Sequence, residues 1–202
     1  GYDRATLGGW DPATGDRLWT LKPPHHGDFN VPTPVAVDGR LFVATENNGA
    51  RLYEFDREGR IVPQPVAELD ELAPDVSSPA AVGHRVFCVW NDLYCLDLDD
   101  GLEPIWIGED RAFCDSSPLF VTDDRLLAVG RGGELLLVDT TADDFRLVSR
   151  LPLFNDKEVK QTELLSHPAL VGSRLYLRGE KALVCVELMR RRGSESAVTA
   201  KE

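Results

Sequence analysis

The chain has 202 residues, 43% hydrophobic and 28% charged, with a formal net charge of −12. That balance is of a folded domain rather than a disordered chain, and no apolar run reaches the roughly 18 residues a membrane-spanning helix needs. An acidic surface repels phosphate backbones, which argues against nucleic acid as a partner, and the four cysteines lack the C-x-x-C spacing of a structural zinc site.

The first structured segment, residues 11–19, reads DPATGDRLW. Asp11 ends a strand and can cap the N–H groups of the turn that follows. Thr14 does the same more weakly, and Gly15 supplies a positive φ. Trp19 then offers a large apolar face for docking on a neighbouring sheet. The segment is a blade ending placed where the chain begins, so residues 1–24 read as the outer strand of a preceding sheet. His25 and His26 with Asp28 have metal-ligand chemistry, but an exposed loop pair fits them better.

From there the chain repeats. Pro34, Pro79, Pro118 and Pro168, spaced 45, 39 and 50 residues apart, each follow a small or polar residue and open an apolar run. A turn comes next (Asp38-Gly39, Gly83-His84, Asp123-Asp124, Gly172-Ser173), then a second apolar run and a second turn. A third run closes on an acid: Asp56, Asp97, Asp139 or Glu187. Short Val-, Leu-, Phe- and Tyr-rich runs bounded by Gly, Asn and Asp are strands in hairpins, and no helical period is sustained. A fourth, outer strand is expected at 60–62, 104–107 and 146–151. After Glu187 none follows, and residues 190–202 read as a disordered tail.

Hairpin units of three or four strands every 40 to 45 residues are the signature of β-propeller blades. Such sheets cannot cover both faces alone and depend on neighbours. The expected fold is all-β: about four four-stranded antiparallel blades, near 25–67, 68–109, 110–153 and 154–189. Either the chain closes as a four-bladed ring, or it is a C-terminal arc of a seven- or eight-bladed ring. The arc fits better, because residues 11–19 also match an ordinary blade end. Asp97, Gly101 and Trp106 repeat the turn-and-tryptophan pattern one residue longer. The blades ending at Asp56 and Asp139 lack the Trp, leaving Ile61 or Val62, and Leu147 or Val148, as expected seam fillers. Cys88 and Cys95 flank Asn91-Asp92. A two-residue loop would set them opposite each other, giving either a cross-strand disulfide or, the better fit, two small buried side chains. Trp90 beside that turn reads either as an exposed aromatic contact or as a cover for the hairpin.

The Ser-Ser-Pro starts at 77–79 and 116–118 and the turn at 11–19 resemble the pyrroloquinoline-quinone-like (PQQ-like) propeller repeat, over residues 9 to about 189. That family includes quinoprotein alcohol dehydrogenases, the propeller lipoprotein of outer-membrane β-barrel assembly, and many bacterial propellers of unknown role. The resemblance implies a periplasmic or extracellular location. It does not bring the quinone with it: the adjacent bonded cysteines and the calcium cage of those enzymes have no counterpart here, so no PQQ and no metal are expected, and no catalytic residue is assigned. The reading is a non-catalytic scaffold binding a protein or small ligand through its loops (63–74, 151–161) or central channel. The alternative is a fragment of a PQQ-dependent dehydrogenase-like enzyme. Candidate channel residues are Ser77, Ser78, Ser116, Ser117 and His167, which begin the inner strands, with Asp115 just upstream; the same ring also reads, and with a better fit, as the lining of a water-filled channel that holds no ligand. Thr33 and Ser166 lie at equivalent starts, and Asn30 and Asp75 lie just upstream as possible acceptors. Expected partners are a protein or the missing blades of a larger propeller.

Overall fold

The computed structural model describes residues 1–28, 30–113, 117–154, 166–179 and 182–189. Among these the chain is all-β, in five antiparallel sheets that follow one another along the sequence. The opening sheet pairs β1 (Leu7–Trp10) with β2 (Arg17–Leu21). The first blade is β3 (Val35–Val37), β4 (Arg40–Thr45), β5 (Gly49–Tyr53) and β6 (Ala67–Leu69). The second blade is β7 (Ala80–Val82), β8 (Arg85–Trp90), β9 (Asp92–Asp97) and β10 (Pro104–Gly108). The third is β11 (Leu119–Val121), β12 (Arg125–Val129), β13 (Glu134–Asp139) and β14 (Leu147–Pro152). The fourth has β15 (Ala169–Val171), β16 (Arg174–Arg178) and β17 (Leu183–Glu187). This is the architecture of a propeller arc. Among the described residues β17 pairs only with β16, so the opening sheet does not complete the fourth blade.

The hydrophobic core is divided into slabs, one at each seam between sheets. Successive residues of a strand face opposite sides, and the second strand of each of the first three blades buries both. Val86 and Cys88 pack against Phe42, Ala44 and Leu52 of the first blade. Phe87 and Val89, one step out of phase, pack with Leu126, Ala128 and Leu136 of the third. Leu41 and Val43 face Leu7 and Leu21 of the opening sheet, and Val129 and Leu135 meet Leu175 and Leu177 of the fourth blade. An all-apolar run such as Val86 to Val89 is therefore what a strand buried on both faces requires.

Two sequence expectations are corrected: the outer strand at 60–62, and Leu147 or Val148 as seam fillers. The outer strand of the first blade is β6, at 67–69. Residue Ile61 makes only an isolated bridge to Phe55, because Gly59 at φ 74° turns the chain back immediately before it. Ile61 does fill a seam, the one toward the opening sheet. The seam toward the second blade is filled by Leu72, fully buried. Leu147 and Val148 are exposed. Their seam toward the fourth blade is closed by Phe154, while Phe145 projects the other way, onto Trp106.

Cys88 and Cys95 are not opposite. Asn91, at φ 62°, turns the hairpin alone, pairing Trp90 with Asp92, Cys88 with Tyr94 and Cys95 with Phe87. A one-residue offset puts two side chains on opposite faces of a sheet. Cys88 lies in the seam to the first blade and Cys95 in the seam to the third, both free and buried. Burial pushes each thiol up to about 12. Trp90 is half-buried against the seam between the first and second blades, covering its own hairpin.

Candidate functional site

The blade-end turns are built from local hydrogen bonds. Asp11 Oδ1 accepts from Ala13 N–H at 2.8 Å, Thr14 Oγ1 accepts from Asp16 N–H at 3.2 Å, and Gly15 sits at φ 77°. In the second copy Asp97 Oδ1 accepts from Asp99 N–H at 2.8 Å, and Gly101 sits at φ 65°. The two tryptophans occupy seams. Trp106 is 7% exposed, with ring centroids 5.9 Å from Phe87 and 5.6 Å from Phe145. Its indole N–H donates to Ala142 O at 3.2 Å, across the seam. Trp19 is half-buried and leans on Phe55 at 6.0 Å. It lies so close over Gly9 that a Cβ there would fall 2.3 Å from its ring nitrogen.

The inner strands do converge. Ser77, Ser78, Ser117 and His167, from three different blades, line one cavity of about 260 Å³ together with Val31, Val76 and Pro118. Two of the hydroxyls have structural duties. Ser77 Oγ donates to Ser117 O at 2.9 Å, tying the second blade to the third, and both residues are buried. Ser78 Oγ accepts from Thr33 N–H at 3.0 Å, tying the second blade to the first. A hydroxyl that accepts still has its own proton to donate, so Ser78 is the half-buried donor facing the space and His167 the exposed imidazole beside it. Asp115 and Ser116 lie outside the described residues. Thr33, Ser166, Asn30 and Asp75 are not part of the lining; Asn30 instead donates to Asp3 O at 3.2 Å.

The histidine pair at 25–26 belongs to another place. Asp28 is occupied by Thr45 Oγ1 at 3.0 Å, by Asn47 N–H at 2.7 Å and by the Asn48 side-chain amide. Asn48 in turn bonds His25 N–H and His25 O. The loop is thus sewn to the β4–β5 hairpin, and Asp28 is spent as a turn cap rather than offered to a metal. Among the described residues no group of three or more His, Cys, Asp or Glu is placed to hold one. The 63–74 loop is likewise tied in: Asp70 pairs with Arg51 at 2.6 Å, and both line a groove with His25, Glu46 and Glu68. The 151–161 loop lies mostly outside the described residues.

Sequence reasoning located the convergence of serines but did not foresee which hydroxyls hold adjacent blades together. It missed Val31 and Val76, whose exposed apolar side chains make the cavity amphipathic. The only available signal was a Val three residues before each of Pro34 and Pro79.

No family model matches the chain, and none of the curated proteins matches it. Solved structures do. BamB from Moraxella catarrhalis, a β-propeller, superposes with a TM-score of 0.66 at 14% identity, over 93% of this chain and 57% of that one. The computationally designed Ika8 protein gives 0.65 at 12% identity, over 90% and 52%. Hsv2 of Kluyveromyces lactis gives 0.59 at 12% identity, over 92% and 56%. At such identities the likeness is one of fold. The chain spans a little over half the length of each.

Proposed function

We propose that this chain is a non-catalytic propeller scaffold whose axial cavity, at the converging starts of the inner strands, receives a protein segment or small ligand. One observation carries the reading: Ser78 and His167 stand in a shared cavity with Val31, Val76 and Pro118. A few oriented polar groups in a largely apolar cleft are the usual composition of a binding site. The Ser78 hydroxyl offers a donor held in place by Thr33 N–H, and the valines offer an apolar wall. The site therefore suits an acceptor flanked by aliphatic surface, such as an extended peptide segment. Periplasmic or extracellular placement belongs to the same proposal and rests on the resemblance of the repeat.

Quinone chemistry does not fit the residues present. The enzymes of that family sandwich their cofactor against a pair of adjacent bonded cysteines. Here Cys88 and Cys95 are buried in separate seams and Cys185 is exposed in the fourth blade. Purified chain given pyrroloquinoline quinone and calcium is expected to show no dye-linked alcohol oxidation, and turnover would overturn the non-catalytic reading. For the cavity itself, Ser78→Trp fills the space without touching the loops. Affinity capture with wild type and S78W in parallel is expected to lose its specific ligand in the variant. A ligand retained equally by both would move binding to the loops.

A further inference from the structure

The second strand of all four blades begins with arginine: Arg40, Arg85, Arg125 and Arg174. In the first two blades this arginine crosses the seam. Arg40 Nη1 donates to Leu98 O at 2.7 Å and Nη2 pairs with Asp99 at 2.8 Å, both in the turn between the third and fourth strands of the following blade. Arg85 repeats the reach into the third blade, donating to Thr140 O at 2.9 Å and Ala142 O at 2.6 Å and pairing with Asp143 at 2.9 Å. Leu98 and Thr140 are equivalent positions, each following the acid that closes a third strand. These two arginine side chains are only 18% and 13% exposed. The carboxylates they reach are well exposed, so most of the grip lies in the charge-assisted bonds to carbonyls.

Arg125 also faces a following blade, but the residue there in the place of Asp99 is Met189, and its described ionic partners are Asp124 and Asp139 of its own sheet. Arg174 has no following sheet among the described residues. It folds back onto Glu187 of its own blade at 3.4 Å and is 58% exposed. On the same face the sheet exposes Val171 at 64% and Leu183 at 70%, with Cys185 between. Corresponding faces of the first and second blades are buried seams.

We propose that this face of the fourth blade is a docking surface for a further blade of the same kind, whose turn between third and fourth strands presents a backbone carbonyl and a carboxylate to Arg174. The occupant is argued from the two seams where the equivalent arginine is already engaged. A second copy of this chain fits less well. Its opening sheet has Ala13 where Asp99 stands, and two copies, each matching 57% of the BamB chain, exceed one ring. This surface is separate from the axial cavity, so either proposal can fail alone.

The test replaces the residues after Glu187 with a copy of residues 98–153, which continues the repeat with an outer strand and a blade bearing the turn that Arg85 grips. The added segment is expected to be protected from amide exchange and to unfold with the rest in one transition at a higher midpoint. In that chain Arg174→Ala is expected to lower the midpoint by about 4 to 8 °C, matching Arg85→Ala in the original chain. In the original chain R174A is expected to shift it by less than about 1 °C, since an exposed pair contributes little. Three results would overturn the proposal: an unprotected added segment, an R174A change that is silent in the extended chain, or a dimer of the original chain that R174A dissociates. The last would assign the face to a second copy.

Discussion

Removing the Trp106 side chain probes the seam between the second and third blades. Trp106→Ala deletes an indole that is 7% exposed and in ring contact with Phe87 and Phe145. Large-to-small changes of a buried Trp cost about 3–5 kcal/mol. The Phe145 ring lies over Gly108 so closely that a Cβ there would meet it at 2.4 Å, so little nearby bulk can slide in to fill the void. The lost N–H···O bond adds little, because Ala142 O keeps the Arg85 guanidinium at 2.6 Å and is not left unpaired. The expected cost is about 4 kcal/mol. At roughly 2–4 °C per kcal/mol for a chain of this size, the unfolding midpoint falls by about 8 to 16 °C. Trp19→Ala, at a half-buried site, is expected to cost about half as much. Urea unfolding followed by far-UV circular dichroism separates the two. A Trp106→Ala cost below about 1 kcal/mol, or one smaller than that of Trp19→Ala, would refute the packing argument.

Thiol labelling at pH 8 is expected to modify Cys185 in the folded chain and to spare Cys88 and Cys95, whose burial raises both thiols to about 12; fast labelling of either would contradict the seam placement. Gly49→Ala is expected to destabilise more than Gly39→Ala. Both residues have positive φ, but a Cβ on Gly49 would lie 2.7 Å from the backbone of Leu69 and Asp70, whereas Gly39 faces open space; comparing urea midpoints decides it. Among the described residues hydrogen bonds hold three carboxyls below their ordinary values: those from Ala5 N–H and Arg17 to Asp3, from Thr141 to Asp139, and from Ser173 to Glu187. A lowered folded-state value stabilises the protein above about pH 4 and loses that contribution as pH falls further. Stability should therefore decline in acid, and Asp139→Asn should make the decline shallower; an unchanged slope would show that the bonds to Thr141 do not matter.

Much of the fold was legible because a blade announces itself by its turns. Gly39, Gly83, Gly133 and Gly172 all adopt positive φ where a hairpin had to reverse, and runs such as Val86 to Val89 are apolar on both faces because both faces are seams. The outer strand of the first blade was not legible. Its three residues, Ala67–Leu69, carry no β-forming pattern, while Ile61 and Val62 do and yet form no strand. The cysteine register escaped for a different reason: it depends on whether one residue or two make the turn at Asn91, a choice that apolar patterning does not reveal. At the axis, the serines could be seen to converge, but not that Ser77 would be used up on the Ser117 carbonyl. The arginine opening each second strand escaped the reading of the repeat, because its role is set by a carbonyl and a carboxylate in the neighbouring blade.

Sheets adjacent in sequence stand face to face, so that each seam joins neighbours only. Nuclear Overhauser contacts between labelled side chains test this directly. Cross-peaks are expected to link Phe42 and Leu52 to Val86 and Leu96, and Phe87 and Leu93 to Leu126 and Leu136. Cross-peaks running from Phe42 or Leu52 to Leu126 or Leu136, as a two-layer sandwich of the same hairpins would give, would contradict it.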